Sequence, residues 1–196
     1  MKREFTEGEA ERHNSLVERA WQLARDHMIV DGAGPTGSPG WLARRRLKEA
    51  VRCFEQALEI NPEGWSSMWA LGKIYQRLAQ HQASLSWFAK AHETNPTHPD
   101  VAREAGLAAL DCGEATLAVR FCTAAVENAA GNGGLIANLA LAHLLNGDDP
   151  SAIECAERAE RLAPGDEISR TVLGFVGEVA AGRRARPKRL IDAFPH

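Results

Sequence analysis

A spacing of 34 residues recurs through this chain and limits its fold more than any other feature. Small residues stand at this step in one position of each unit: Gly72, Gly106, Ala140 and Gly174. A second set near the unit boundaries keeps the same step: Pro62, Pro96, Ala130 and Pro164. A fixed period of this length predicts an array of similar units, each of which buries its apolar face against its neighbours.

The unit that begins at Trp65 carries the pattern most fully. It reads Met68-x-x-Leu71-Gly72-x-x-Tyr75, then Ser84-x-x-x-Phe88-x-x-Ala91, then Pro96. This pattern resembles that of the tetratricopeptide repeat family, with Met68 in the place of the family's Trp and Ser84 in an Ala place. The resemblance implies an all-α fold, a right-handed superhelical solenoid of helix-turn-helix repeats, whose function is to bind another polypeptide.

The period divides the chain into a repeat domain over residues 1–182 and a tail. The domain is expected to contain four repeats at about 7–64, 65–98, 99–132 and 133–166, with an inserted loop at 31–40 in the first, and an end helix at 167–182. Residues 183–196 form a basic and apolar C-terminal tail. Small residues in the repeated position let two helices approach where they cross, so a bulky residue there is expected to overpack the stack.

Capping signals predict where individual helices begin and end. Thr6-x-x-Glu9 is a capping box, which predicts a helix from residue 7 to about residue 30. Ser38 is expected to cap a second helix over residues 41–60. Further expected caps and turns are Asp100, Gly113, Gly147, Asp149 with Pro150, and Asp166.

The charge is divided unevenly between the domain and the tail. The chain has a formal net charge of −3, and the tail sets five basic residues against Asp192. The last fourteen residues therefore carry +4 and residues 1–182 carry −7. The N-terminal sequence is too charged for a secretory signal, and no apolar run approaches the ~20 residues of a membrane helix. We expect a cytoplasmic location, no membrane partner, and a protein partner in preference to nucleic acid.

No pattern in the chain indicates catalysis. Residues 32–37 contain Gly-x-Gly-x-x-Gly, which looks like the phosphate loop of flavin-dependent oxygenases, but an amphipathic helix precedes it where a strand is required. A flexible or partner-contacting loop is the favoured interpretation, with a flavin or nucleotide enzyme as a distant alternative. The histidines and cysteines form no metal-binding pairs, and the cysteines suit helix packing. We therefore expect no catalytic residues, no metal and no cofactor.

In the family that the sequence resembles, the first helix of each repeat lines a concave groove. That register places the following residues in the groove: Trp69, Lys73, Gln76, Arg103, Leu107, Asn138, Leu141 and Phe175. Leu141 and Phe175 are equally consistent with packing against neighbouring helices. The resemblance implies a non-enzymatic scaffold that binds an extended or helical peptide in this groove. The Lys and Asn set with which co-chaperones of the family grip a terminal carboxylate is missing from the equivalent positions.

The alternative function is a self-assembling structural module. Trp87 and Phe121 occupy one position of the second helices, 34 residues apart, which tends toward the convex side in this family. Two exposed aromatic side chains there would form a self-association patch, while partial burial under the adjacent helix is the favoured interpretation. Association through the C-terminal tail is the other route to a homo-oligomer.

The tail resembles a ligand more than an idle terminus. Gly182 is expected to end the last helix, Pro187 prevents a continuous helix, and the apolar residues Leu190, Ile191 and Phe194 follow the basic ones. A tethered segment acts at an effective concentration of ~mM, so even a weak contact competes with an outside peptide. We hypothesise that the tail occupies its own groove or that of a neighbouring molecule. A disordered, solvated tail and a basic patch for nucleic acid or acidic membrane are the alternatives.

Overall fold

The computed structural model describes residues 5–29 and 34–194, and all regular secondary structure in these ranges is helical. In this part of the chain the α-helices are α1 Glu7–Ala24, α2 Trp41–Ile60, α3 Trp65–Arg77, α4 His81–Thr94, α5 Pro99–Cys112, α6 Ala115–Asn128, α7 Gly133–Leu145, α8 Asp149–Leu162, α9 Glu167–Ala180 and α10 Leu190–Ala193. The expected all-α fold is confirmed.

The chain divides into two compact units, Met1–Thr94 and Asn95–His196. In the first unit, α1 pairs with α2 and α3 pairs with α4. In the second unit, α5 pairs with α6 and α7 pairs with α8, while α9 packs against both α7 and α8. Each pair is a helical hairpin, which is the structural unit that the 34-residue period predicts.

One residue in the turn of each uninterrupted hairpin has a left-handed backbone. These residues also follow the 34-residue step: Ala79, Gly113 and Gly147, with φ angles of 58°, 75° and 83°. The left-handed conformation favours glycine because a Cβ atom comes too close to the following carbonyl oxygen. Gly113 and Gly147 therefore end their helices as predicted, whereas Ala79 adopts the same turn with an unfavourable side chain.

Two of the repeated small residues are required by the close approach of the paired helix. A Cβ atom added at Gly72 would lie 2.6 Å from ring carbons of Phe88, and one added at Gly106 would lie 2.6 Å from the Cys122 sulfur. The expectation for Gly174 is wrong, because no atom of residues 5–29 and 34–194 lies within 4 Å of its Cβ position apart from its own neighbours in the chain and helix. In the described residues α9 is followed by the tail instead of a paired helix, so no neighbour crosses it there.

Two predicted helix starts are confirmed in detail. The Thr6 hydroxyl accepts from the Glu9 amide at 3.3 Å, and the Glu9 carboxylate accepts from the Thr6 amide at 3.0 Å, which completes the capping box of α1. Asp166 caps α9, where its carboxylate accepts from the Ser169 amide at 2.8 Å. Both caps satisfy backbone amides that the first turn of a helix leaves unpaired.

The ends of the helices beside the inserted loop differ from the prediction. The helix does not continue to about residue 30: α1 ends at Ala24 and is followed by a 3-10 turn over Arg25–His27. Met28 then takes an extended conformation that buries its side chain in the core of the unit. Gly40, not Ser38, is the residue that precedes α2, and it supplies no side-chain cap.

Two predicted aspartate caps are shifted along the chain. Asp100 lies in the first turn of α5, and the cap position belongs to His98. Asp148, not Asp149, caps α8, because its carboxylate accepts from the Ser151 amide at 3.2 Å. Asp149 is one residue further on, in the first turn, where its side chain is available to the tail.

Arg77 of α3 fixes the inserted loop. Its Nε donates to the His27 carbonyl at 2.9 Å and its Nη1 donates to the Gly37 carbonyl at 2.5 Å. Residues 30–33, with Gly32 of the Gly-x-Gly-x-x-Gly pattern, lie outside the described residues. The described residues before the loop form a helix and a 3-10 turn, which is not the strand that a phosphate loop requires.

Candidate functional site

Three of the predicted groove residues lie on α3 in the first unit. The Trp69 ring packs beside that of Trp21 on α1, with centroids 6.5 Å apart. The Lys73 Nζ atom lies 6.0 Å from the centroid of the Trp69 ring, and the Lys73 side chain is buried. Gln76 is half-buried. Trp69 thus packs α3 against α1 and leaves only part of its ring accessible to a ligand.

The first helices of the second unit, α5, α7 and α9, lie side by side and form what we call the inner face. On α5, the predicted groove residue Arg103 lies 3.1 Å from the Asp100 carboxylate and 3.2 Å from the Glu104 carboxylate. The Glu104 carboxylate is buried, and the Arg103 guanidinium is one of the groups that compensate its charge, so a ligand that contacts Arg103 shares this ion pair. Leu107, one turn further on, is half-buried.

The inner face contains a cavity of about 400 Å³ between α7, α9 and α10. Its lining is Asn138, Leu141, Glu167, Ile168, Thr171, Val172, Leu190 and Phe194. The structure therefore brings together the predicted groove residues Asn138, which is half-buried, and Leu141, which is buried. A mostly apolar wall with a few polar groups is typical of sites that bind organic ligands or peptides.

The C-terminal tail turns back at the end of α9. Gly182, with a φ angle of 71°, reverses the chain direction. The Arg183 amide then donates to the Glu178 carbonyl at 2.9 Å, and the Arg183 guanidinium pairs with the Glu178 carboxylate at 2.8 Å. This turn directs the following residues toward the inner face.

Arg186 attaches the tail to the junction of α7 and α8. Its Nη1 and Nη2 donate to the two carboxylate oxygens of Asp149 at 2.7 Å and 2.9 Å, a bidentate pair. Nη1 also donates to the Leu144 carbonyl at 2.5 Å, close to the C-terminal end of α7, where a cation is favoured. The hydrogen bonds from Arg186 lower the pKa of the Asp149 carboxyl group.

Phe175, another predicted groove residue, is held between two parts of the tail. The Arg184 Cζ atom lies 4.5 Å from the centroid of the Phe175 ring, and the Phe194 ring lies 5.3 Å from it, centroid to centroid. Arg184 Nη2 donates to the Ala193 carbonyl at 3.0 Å, which closes the tail on itself. Phe175 is therefore buried, and part of its cover is the chain's own tail.

The middle of the tail crosses the C-terminal end of α5. A Cβ atom added at Gly113 would lie 2.8 Å from the Lys188 carbonyl oxygen, so the tail passes here only because this residue is glycine. Pro187 is buried at this crossing, while Lys188 and Ile191 are exposed. The tail is thus anchored at separate points and is solvated between them.

Each of the two residues predicted for self-association is at least partly buried within its own unit. Phe121 is 0 % exposed, with the Arg120 Cζ atom 4.5 Å from its ring centroid. Trp87 is half-buried against the core of the first unit, and the Lys90 Nζ atom lies 4.3 Å from its ring centroid. Phe121 therefore cannot offer the aromatic surface that the patch requires.

A basic stripe on α2 is a surface that the repeat pattern did not reveal. Trp41 is 74 % exposed, and Arg44, Arg45, Lys48 and Arg52 line a shallow groove beside it on the same helix. The spacing of these residues, three or four positions apart, was the available sequence signal, because such residues share one side of a helix. A stripe of this kind attracts anionic groups.

Among the described residues, no group of His, Cys, Asp and Glu could hold a metal ion. Burial raises the pKa of the Cys122 thiol to about 12, so the thiol is neutral where it packs against Gly106.

Across residues 5–29 and 34–194, none of the helices combines the length and the apolarity needed to cross a membrane.

Residues 42–99 match the protein family described as tetratricopeptide repeat. This segment covers α2, α3 and α4, and the second unit repeats the same hairpin, with Gly106 in the position of Gly72. The resemblance that the sequence predicted is thus confirmed over residues 42–99. No curated protein matches it at a significant level.

Solved structures share this helical fold. A MamA structure from Desulfovibrio magneticus RS-1, beginning at its residue 41, is 18 % identical and has a TM-score of 0.66, covering 89 % of this chain and 86 % of that chain. YrrB, described as a TPR protein with an unusual peptide-binding site, is 18 % identical with a TM-score of 0.62, covering 77 % of this chain and 79 % of that chain.

A third structure is the first TPR of Spaghetti (RPAP3) bound to the HSP90 peptide SRMEEVD. It is 15 % identical with a TM-score of 0.54, and the alignment covers 60 % of this chain and 93 % of that chain. Identities this low show a shared fold.

Proposed function

We propose that this chain is a non-enzymatic scaffold that binds a peptide segment of a protein partner on the inner face of its second unit. The observation that carries the proposal is the position of the chain's own tail. Leu190 lines the cavity beside Leu141, and the Phe194 ring lies against Phe175. These are the contacts that two apolar anchors of a bound peptide would make.

The polar groups around the cavity suit a peptide backbone. The Asn138 amide can both donate and accept a hydrogen bond, and the Thr171 hydroxyl has the same capacity. Residues 1–182 carry a net charge of −7, so a basic or neutral peptide is favoured over nucleic acid as the partner, in the cytoplasm as the sequence led us to expect.

The remaining predicted groove residues of the second unit, Arg103 and Leu107, enter the proposal as further contacts on α5. Trp69, Lys73 and Gln76 are a separate proposed contact surface, on α3 of the first unit. YrrB and the RPAP3 domain support a peptide as the ligand class, because their descriptions include a peptide-binding site and a bound peptide.

A library of phage-displayed random peptides, selected on the full chain, tests the proposal. Ile168 is the exposed apolar residue of the cavity, at 64 % exposure, and Leu162 is a matched residue outside it, at 47 % exposure. Selected peptides should bind Ile168→Asp at least about tenfold more weakly than the wild type, which corresponds to the loss of one apolar contact.

The Leu162→Asp variant is the control, since it adds the same charge at a similar exposure. It should bind the selected peptides as the wild type does. If the two variants lose affinity equally, or if no peptide is enriched on the chain, the inner face is not a peptide site.

A further inference from the structure

We propose that residues 183–194 are an intramolecular ligand of the inner face, and that the outside partner is a basic peptide that repeats their anchor spacing. The inference rests on the proposed function. Three of the tail residues that contact neighbouring helices are evenly spaced: Arg186, Leu190 and Phe194. Arg184, over the Phe175 ring, and Lys188, at Gly113, are additional contacts outside this spacing. The partner peptide carries an arginine, with apolar residues four and eight positions after it.

The first anchor position recognises arginine in particular. Asp149 accepts two parallel hydrogen bonds from one guanidinium, and the Leu144 carbonyl accepts a third. A lysine ammonium cannot make the planar bidentate pair, so it is a poor substitute at this position. Asp149 and the last turn of α7 together form a partly solvent-exposed binding site for one guanidinium group.

The second and third positions recognise apolar side chains. Leu190 begins α10 and Phe194 follows its last residue, one helical turn further on, and both side chains contact the wall formed by α7 and α9. The 400 Å³ cavity that remains beside them has room for side chains larger than those of the tail. Ile191, which is 52 % exposed, takes no part in these contacts, so the residue after the first apolar anchor is free to vary.

The tail is attached in a way that permits its release. Of residues 183–194, only Pro187 and Ala193 are buried. A segment with few buried contacts opens at a low free energy, and here a single ion pair joins it to the α7–α8 junction. At an effective concentration of ~mM such a tail competes with an outside peptide without excluding it.

The test uses the full chain and a fluorescent peptide with the sequence of residues 183–194 as the probe. Arg186→Ala removes the anchor of the chain's own tail, and Arg161→Ala is the matched control, because Arg161 pairs with Glu157 on α8, outside the tail and the cavity lining. The probe should bind Arg186→Ala about tenfold more tightly than the wild type, since a larger fraction of molecules has a free inner face. It should bind Arg161→Ala as it binds the wild type.

A second variant, Asp149→Asn, separates release of the tail from recognition of the probe's arginine. It frees the tail in the same way, but the probe then loses its own partner for arginine, so no gain in affinity is expected. Circular dichroism confirms that each variant folds. Equal probe affinity for the wild type and Arg186→Ala would overturn the inference, as would an equal gain in Asp149→Asn.

The two proposals fail separately. If peptides from the random library bind through Ile168 with the same affinity in the wild type and Arg186→Ala, the inner face is a peptide site and the tail is not its ligand. If the library yields no peptide that depends on Ile168, the proposed function itself is wrong.

Discussion

The two units use the same hairpin geometry but fill it with different residues. Gly72 of the first unit faces Phe88, while Gly106 of the second faces Cys122, at the same 2.6 Å limit. The hairpin turn is formed by Ala79 in the first unit, and by Gly113 where the tail crosses in the second. The repeated glycine therefore marks where the two helices of a hairpin approach each other, and the residue that faces it on the second helix differs between the units.

This comparison of the two turns also shows that the residue type at position 113 is restricted by two features of the structure, whereas that at position 79 is restricted by one. Both positions need a left-handed backbone, but only Gly113 lies under another segment, the carbonyl of Lys188. The tail therefore adds a steric restriction at position 113, where the hairpin turn alone would allow a small side chain such as that of Ala79. This contrast can be tested one position at a time.

The largest effect on stability is expected at the residues that face the repeated glycines, where the first unit has a large phenylalanine and the second unit a small cysteine. Phe88→Ala should destabilise the first unit by about 3–5 kcal/mol, because it leaves a cavity opposite Gly72. Cys122→Ala should cost the second unit only about 1 kcal/mol, the transfer free energy of one small buried group. All five tryptophans lie in residues 1–94, so their fluorescence in urea reports the first unit, and far-UV circular dichroism reports both. Similar losses in the two variants would contradict this account of the packing.

The next effect isolates the contact between α5 and the tail. Gly147→Ala should cost about 1 kcal/mol, because it adds left-handed strain without a clash: in the part of the chain that the structure describes, its Cβ position has open space around it. Gly113→Ala adds the same strain and the clash with Lys188, for a total of roughly 2 kcal/mol. It should also strengthen binding of the tail-derived probe, which Gly147→Ala should leave unchanged. Urea denaturation and probe titration measure the two effects, and equal behaviour of the two variants would show that the tail does not pass over Gly113.

A stabilising change is expected at the equivalent turn of the first unit. Ala79→Gly should raise the free energy of unfolding by about 0.5–1 kcal/mol, because glycine adopts the left-handed turn without the Cβ clash. This gain is partly offset because glycine loses more backbone conformational entropy than alanine when the chain folds. Tryptophan fluorescence in urea is the measurement. A destabilised variant would mean that Ala79 does not have a left-handed backbone.

The smallest effect is the pH dependence of the tail anchor. Arg186 lowers the pKa of Asp149 in the folded protein, so the ion pair contributes stability above the unfolded pKa of about 3.9. That contribution is lost as the pH falls through the lowered folded pKa. The melting temperature of the wild type should therefore exceed that of Arg186→Ala at pH 7, and the difference should shrink below about pH 4. A difference that stays constant down to pH 2.5 would show that Asp149 is not the partner.

The periodic part of the fold could be predicted from the sequence because its causes are local. The capping box at Thr6, the cap at Asp166 and the turn at Gly113 each depend on residues within a few positions. The prediction of a close helix approach at Gly174 was wrong because the 34-residue step continues to this position, while in the described residues α9 has no second helix paired with it as in a hairpin. The end of α1 was misjudged because the burial of Met28 is a tertiary effect.

The candidate site was predictable in part for the same reason. Register alone places Asn138 and Leu141 on the inner face, where the structure brings them together. The contacts of Arg186 with Asp149 and Leu144 join residues about 40 positions apart, and no local pattern in the sequence encodes them. The basic stripe beside Trp41 lies outside the repeated positions, so the period could not reveal it.

The most direct test of the central claim is a nuclear magnetic resonance titration of the full chain with a peptide selected from the random library. If the inner face is the peptide site and the tail is its internal ligand, the largest chemical shift changes should occur at Asn138, Ile168 and Thr171. The amides of Leu190 and Phe194 should move at the same time toward the positions expected for an unstructured chain. Changes confined to other surfaces, with the tail resonances unmoved, would contradict the account.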